Sequence, residues 1–294
     1  MEAVGIIGAG VMGLAAGRKF IESGRRVIAF DTAPKAQEKA RQVGMEMTVS
    51  PADVARLCPI ILMFLPGPAQ IIECVAGPTG LLQTAASGRI IVDLSTVDPG
   101  TTRRMAALAR DKGIGYVDAP VLGRPASVGK WALPVGGQAE DIERCRPILA
   151  AVAAKIMHIG ESGSGNKIKL LNQMMFSAIN AMTAEMMAVA EKIGVAPKLL
   201  YETITSSQAG TVSNLFIELG KNITNEKYDE PTFSVDLLCK DVRLAIEMAK
   251  AHGAPPLLAG LIQFINEAAQ AQGLGARDTA VMWKACRSFW SRHV

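Results

Sequence analysis

At 294 residues, 49% of them hydrophobic and 20% charged, the chain is long enough for two domains and leaves little room for disorder. A net charge of +4 with no basic block, no aromatic-interleaved basic patch and no zinc-finger spacing argues against a nucleic-acid partner. No apolar run approaches the ~18 residues of a membrane helix, no secretory leader precedes the first strand, and five scattered cysteines without a C-x-x-C pair fit a reducing compartment, so a cytoplasmic protein is expected.

The first half alternates strand and helix. "VGIIG" (4–8) is a short apolar run ending in glycine, and a helical stretch from Met12 to about Ser23 follows it. Gly24 stops that helix, and "RVIAFD" (26–31) supplies the next strand. "IILMFL" (60–65) is apolar throughout, as a strand covered on both faces should be, and Pro66-Gly67-Pro68 ends it. "RIIVDLS" (89–95) and "GYVDAPV" (115–121) continue at βαβ spacing, and "WALPVGG" (131–137) and "KIMHIG" (155–160) add strands toward a sheet edge. This order predicts a doubly wound, mostly parallel sheet with helices on both faces. After Gly165 the texture changes. One helical pattern runs from Asn166 to Ile193, with apolar residues on nearly every face, which predicts a helix buried all round, between domains or between subunits. The rest is helical. We therefore expect an α/β Rossmann-type domain over 1–162 and, joined by the long helix, an all-α substrate or oligomerisation domain over 163–294.

"GIIGAGVMG" places Gly8-x-Gly10-x-x-Gly13 directly after a strand and at the opening of a helix. Gly8 permits the tight turn, Gly10 lets the backbone approach a pyrophosphate, and Gly13 lets helix and strand pack closely. Val11, Met12 and Gly13 form the first helical turn, whose N–H groups and positive dipole end would face the phosphates. Asp31 closes the second strand, where its carboxylate can accept from an adenosine ribose and repel a 2′-phosphate. NAD is thus expected as cofactor, in preference to NADP.

Several hydride-transfer designs are missing their residues. The three histidines are scattered and no Cys/His cluster offers a zinc site, so no metal is expected; none of the three tyrosines begins a Tyr-x-x-x-Lys pair. Lysine remains. In "GSGNKIKLLNQ" (163–173), Lys169, Asn172 and Gln173 share one helix face, and Gly165 lies on the same face four residues earlier. That glycine suggests a clearing through which substrate could approach the backbone, while Lys167 points away to solvent. The stretch does not fit a Walker loop.

With these elements in place the chain resembles the β-hydroxyacid dehydrogenases, a family that includes 3-hydroxyisobutyrate dehydrogenase and tartronate semialdehyde reductase. The resemblance spans Val4 to Asp278 and rests on "GIIGAGVMG", "DAPVLG" (118–123), "GSGNKIKLLNQ" and "FSVDLLCKDVRLA" (233–245), in that order. It implies that Lys169 is the catalytic acid/base, that Asn172 helps hold the substrate, and that Lys240 serves the cofactor. It also implies that Leu65, Pro66 and Thr96 line the nicotinamide side. An ordinary lysine is a poor base at neutral pH, so the role requires burial and a cationic ring nearby.

One departure stands out. Many members carry a serine and two glycines after "PV", where the substrate carboxylate binds; here Leu122, Gly123 and Arg124 follow Val121. Leu122 cannot donate a side-chain hydrogen bond. Arg124 either replaces the cradle, since a guanidinium matches carboxylate or sulfonate oxygens, or is a surface arginine in a turn. The expected activity is hydride transfer between nicotinamide and a small anionic β-hydroxy acid or semialdehyde, in a homodimer or homotetramer. The alternatives are an imine reductase of the same architecture, against which Lys169 weighs, and a non-catalytic dinucleotide-binding module.

Overall fold

The computed structural model of the chain describes residues 3–84, 86–206 and 213–290. The chain divides into two compact units, Met1–Lys169 and Leu170–Val294.

The first unit runs β1 (Val4–Ile7), α1 (Val11–Glu22), β2 (Val27–Phe30), α2 (Pro34–Gln42), β3 (Glu46–Met47), α3 (Pro51–Leu57), β4 (Ile60–Met63) and α4 (Pro68–Ala76). It continues with β5 (Ile90–Asp93), α5 (Pro99–Arg110), β6 (Gly115–Asp118), β7 (Trp131–Gly136), α6 (Ala139–Leu149) and β8 (Ala153–Gly160). Helices α2, α3, α4 and α5 each open on a proline, whose missing N–H costs nothing at that position. The strands form one eight-stranded sheet in the order β3-β2-β1-β4-β5-β6-β7-β8. All described pairings are parallel except β6 with β7. The short β3 gives the sequence too few residues to announce itself.

Both faces of the sheet are covered, as the continuous apolar strands required. Ile6, Leu62 and Val92 pack on one side with Phe20 and Trp131, and Ile7, Ile61, Met63 and Ile91 pack on the other with Ile71 and Met105. A chain reversal of sheet order occurs between β1 and β4, so their carboxyl ends open a crevice at a topological switch point.

Helix α7 (Ser164–Lys192) begins in the first unit and continues into the second. The second unit adds α8 (Pro197–Ser206), α9 (Asn214–Thr224), α10 (Val235–Ala251), α11 (Leu257–Ala271) and α12 (Met282–Trp290). Its core gathers Met187, Phe216, Leu219, Tyr228, Val235, Val281 and Trp283. The α7 helix is not buried on every side within the chain. Leu170, Ala184 and Met187 are inside, but Leu171, Met175, Met182 and Val189 form an exposed stripe, with Met175 and Met182 each 63% accessible. The apolar pattern of α7 is therefore covered only in part within the single chain. Among the described residues no helix is long and apolar enough to cross a membrane.

Candidate active site

The parallel strands deliver the expected residues to one edge of the sheet. Gly8 follows β1, Asp31 follows β2, Leu65 and Pro66 follow β4, Thr96 follows β5, and Val121 to Arg124 follow β6. The structure thereby brings these expected residues of the first unit, which the sequence keeps far apart, to one edge.

At the first turn the three glycines differ in what constrains them. Gly8 has φ +88°, and a side chain there would meet Phe64 O at 2.3 Å. A side chain at Gly13 would meet Gly8 O at 1.9 Å, so helix and strand are in contact there. Gly10 has no atom within 4 Å of where its Cβ would stand. Nothing inside the protein demands glycine at that position, which fits close approach of a ligand. Helix α1 carries no side-chain cap on Gly10 and no acidic residue in its first turn, so its N-terminal N–H groups fit a pyrophosphate. These observations fit a dinucleotide lying across Gly8, Gly10, Val11, Met12 and Gly13.

Asp31 does more than the sequence suggested. Its Oδ2 accepts from Ala9 N at 2.7 Å and its Oδ1 from Ala33 N at 2.8 Å. The carboxylate therefore holds the glycine turn against the end of β2. Each oxygen keeps a further lone pair, and the residue is only half-buried. On the other side of the crevice, Leu65 N donates to Ser95 Oγ at 2.9 Å, which fixes the turn after β4 against the segment carrying Thr96.

The second glycine turn is built in the opposite way. Gly165 is not a clearing: a side chain there would meet Pro134 O at 2.4 Å and Asp118 O at 2.9 Å. The expectation that substrate approaches the backbone at Gly165 is therefore corrected, because neighbouring strand ends fill that space. Asp118, fully buried at the end of β6, accepts from Gly163 N at 2.7 Å and Asn166 N at 3.0 Å. Burial pushes its carboxyl up from the ordinary value, while the backbone N–H bonds pull it down. Asn166, also fully buried, accepts from Val97 N at 3.1 Å and donates to Thr102 Oγ1 at 3.2 Å. Neither residue had a role in the sequence reading. The pairing partners lie 45 to 69 positions away, beyond any local signal.

Lys169 stands one turn further along α7, half-buried, and its Nζ donates to Val121 O at 2.9 Å. Lys167 is exposed, as its spacing predicted. The lysine is thus aimed at the strand-end side of the first unit. The Leu122 N–H donates to Ala132 O at 2.9 Å and the Arg124 N–H to Ser127 Oγ at 3.1 Å, so these two amides are already engaged. Leu122 brings only an apolar side chain, and Gly123 sits against Trp131, where a Cβ would lie 2.5 Å from the ring. Trp131 Nε1 donates to Arg124 O at 2.8 Å, which pins the turn that carries the arginine.

In the second unit Asn172 is exposed on α7, whereas Gln173, expected on the same face, is buried, because adjacent helical residues point about 100° apart. Gln173 Nε2 donates to Asp241 Oδ2 at 2.6 Å, and Lys240 Nζ pairs with Asp241 Oδ1 at 2.6 Å. The two segments singled out by the sequence, 163–173 and 233–245, meet there through buried polar side chains.

Known proteins agree with this architecture. The family described as "NAD binding domain of 6-phosphogluconate dehydrogenase" matches residues 3–160, and the one described as "NAD-binding of NADP-dependent 3-hydroxyisobutyrate dehydrogenase" matches residues 163–286. A 2-(hydroxymethyl)glutarate dehydrogenase of Eubacterium barkeri is 32% identical over 96% of this chain and 93% of its own. The mitochondrial 3-hydroxyisobutyrate dehydrogenase of Homo sapiens is 28% identical over 97% of this chain and 86% of its own. The fold matches a crystal structure of 3-hydroxyisobutyrate dehydrogenase from Salmonella typhimurium with a TM-score of 0.89, at 24% identity, over 97% of this chain and 99% of that one. With both of its parts matched in order and relatives aligned along nearly all of its length, this chain belongs to the β-hydroxyacid dehydrogenase family of oxidoreductases.

Proposed function

We propose that the chain is an NAD-dependent dehydrogenase or reductase that interconverts a small anionic β-hydroxy acid and its semialdehyde, with Lys169 as acid/base. The observation that carries the reading is Lys169 itself: a half-buried amine at the start of α7, held at the strand-end edge by Val121 O at 2.9 Å. A dinucleotide bound across the first glycine turn would supply the hydride acceptor or donor. The chain's own residues do the rest. In oxidation a neutral Lys169 takes the hydroxyl proton; in reduction the protonated amine returns it and stabilises the developing alkoxide.

The preference for NAD rests on Asp31, whose carboxylate stands at the end of β2 where a 2′-phosphate would be repelled. One matching family description names an NADP-dependent enzyme, so we assign NAD on the carboxylate alone. We assign Arg124 to the substrate anion, because the turn that carries it is pinned and the amides beside it are engaged. Asn172 is assigned to substrate and Lys240 to cofactor from the segments they share with the family. The two named relatives take hydroxymethylglutarate and hydroxyisobutyrate, both small hydroxy acids, which supports that substrate class. The exposed apolar stripe of α7 supports a homodimer or homotetramer, and five buried thiols without disulfides support a cytoplasmic location.

The test is NAD reduction, followed by absorbance, with a panel of β-hydroxy carboxylates and hydroxy sulfonates. Turnover should appear with at least one acid, and Arg124→Ala should raise KM for it several-fold while NADH affinity is unchanged. Turnover with cyclic imines and not with hydroxy acids would give the chain to the imine reductases. NADH binding with no turnover on either panel would make it a non-catalytic module.

A further inference from the structure

A helix leaves its first N–H groups without partners, and they are most often met by a residue at the helix's own start. In α7 Ser164 N is met locally by Glu161 O at 3.0 Å, but its neighbours are met from elsewhere. Gly163 N and Asn166 N both donate to Asp118, which belongs to β6 and lies 45 and 48 residues earlier. Three residues after Asp118, Val121 O accepts from Lys169 Nζ at 2.9 Å. The short segment 118–121 therefore grips the helix twice, by a carboxylate at its opening and by a carbonyl at the lysine head.

Room has been made for that carboxylate. A side chain at Gly136 would stand 2.5 Å from Asp118 Oδ1, and one at Gly165 would stand 2.9 Å from Asp118 Oδ2. Burying a carboxylate is costly unless charge-assisted bonds and a favourable dipole offset it, and the N-terminus of α7 offers both. Asn166 adds the second arm. Its Oδ1 accepts from Val97 N and its Nδ2 donates to Thr102 Oγ1, which ties the turn before Lys169 to the segment carrying Thr96 and to the start of α5.

We propose that Asp118 and Asn166 form a buried brace that positions Lys169 for proton transfer, relative to the strand ends that carry Thr96 and Val121. The inference deepens the functional reading above and rests on its assignment of Lys169. Asp118 and Asn166 are positioning residues: they act through the helix and do not touch the reacting atoms. A cap needed only for stability could sit anywhere on the helix start. This one comes from the strand whose continuation holds the lysine, so a slack brace and a displaced amine are the same event.

Asp118→Asn keeps the side-chain volume but sets an amide NH2 against backbone N–H groups. It should lower kcat ~10- to 100-fold, the scale attached to misplacing a catalytic group by about 1 Å, with NADH affinity by fluorescence unchanged. In a Lys169→Ala background the same substitution should lower kcat no further. In the cofactor-free protein, acetylation of Lys169 relative to Lys167, read by peptide mass spectrometry, should rise several-fold as the amine leaves Val121 O. Equal losses in both backgrounds, or parental kcat and labelling, would overturn the brace. If Asp118→Asn does not fold, Asn166→Ala is read through the same arms, and failure of both to fold assigns the pair to stability alone and overturns the proposal. If Lys169→Ala retains parental kcat, the acid/base assignment falls, while the labelling ratio still reports whether the brace holds the amine.

Discussion

Two glycine-rich turns open helices at the same edge of the sheet, and they solve the problem of a helix N-terminus in opposite ways. At α1 no side chain caps Gly10 and the position of its absent Cβ is open, an arrangement that fits a bound phosphate. At α7 the Asp118 carboxylate takes the N–H groups of Gly163 and Asn166, and Gly165 is packed against Pro134 and Asp118, Gly163 against Pro99. The first turn leaves its helix start open, as the proposed dinucleotide site requires. The other is filled by the protein itself and uses the helix to hold Lys169. Glycine therefore marks close approach in both, and only the identity of the approaching group separates a binding turn from a bracing one.

The contrast breaks most visibly at the lysine. Lys169→Ala should lower kcat by ~10²–10⁴-fold, the range for a positioned acid or base, while NADH still binds at the first turn. Lys167→Ala, exposed on the other face, should turn over like the parent. Equal effects of the two substitutions, measured at saturating substrate, would leave α7 as a mere scaffold.

Alanine at the glycines separates packing from ligand approach. Gly13→Ala and Gly165→Ala would drive a Cβ to 1.9 Å from Gly8 O and 2.4 Å from Pro134 O. Each should cost roughly 1–3 kcal/mol or more, seen as a lowered melting temperature without cofactor. Gly10→Ala should melt with the parent and weaken NADH binding by about tenfold, which is about 1.4 kcal/mol. A large melting shift for Gly10→Ala would show that the first turn, too, is packed from within.

A third measurement concerns the carboxylate beside Asp118 in the sheet register. Asp93 is fully buried and accepts from Ser95 N and Tyr116 Oη, but no helix N-terminus faces it in those bonds. Burial pushes its carboxyl up to about 6 in spite of the bonds from Ser95 and Tyr116. The folded form thus holds this proton more tightly than the unfolded chain does. That stability is full below about pH 4 and is lost as pH rises through about 6. Asp93→Asn should remove the loss, so denaturant titrations should show the variant gaining on the parent between pH 4 and 7 by on the order of 2 kcal/mol. A difference that does not change with pH would mean the bonds, and not burial, set the ionisation of this carboxyl.

The smallest effect is expected at Asp31. Asp31→Asn should narrow the preference for NAD over NADP by a few-fold in kcat/KM, since repulsion of the 2′-phosphate is lost. Because Ala9 N and Ala33 N both donate to this carboxylate, affinity for NAD should fall slightly as well. Better use of NADP by the parent would show that a neighbour such as Lys35, exposed in the first turn of α2, overrides the acid.

The sequence by itself determined every strand of the sheet but the short β3, the βα alternation and the first turn. Apolar runs such as Ile60–Met63, glycines spaced as Gly8, Gly10 and Gly13, and an acid closing β2 are local patterns, and local sterics and periodicity make them readable. Lys169 and Asn172 on one helix face followed from spacing in the same way. Tertiary structure alone decided what surrounds them. It turned Gly165 from a clearing into a packed contact, gave Asp118 and Asn166 their tasks, and engaged the amides of Leu122 and Arg124. It also showed which stripe of α7 the single chain leaves exposed. The physical reason is range. A helix period or a tight turn is enforced by neighbours in the chain, whereas a carboxylate that caps a helix from 45 residues away is chosen only when the sheet brings them together.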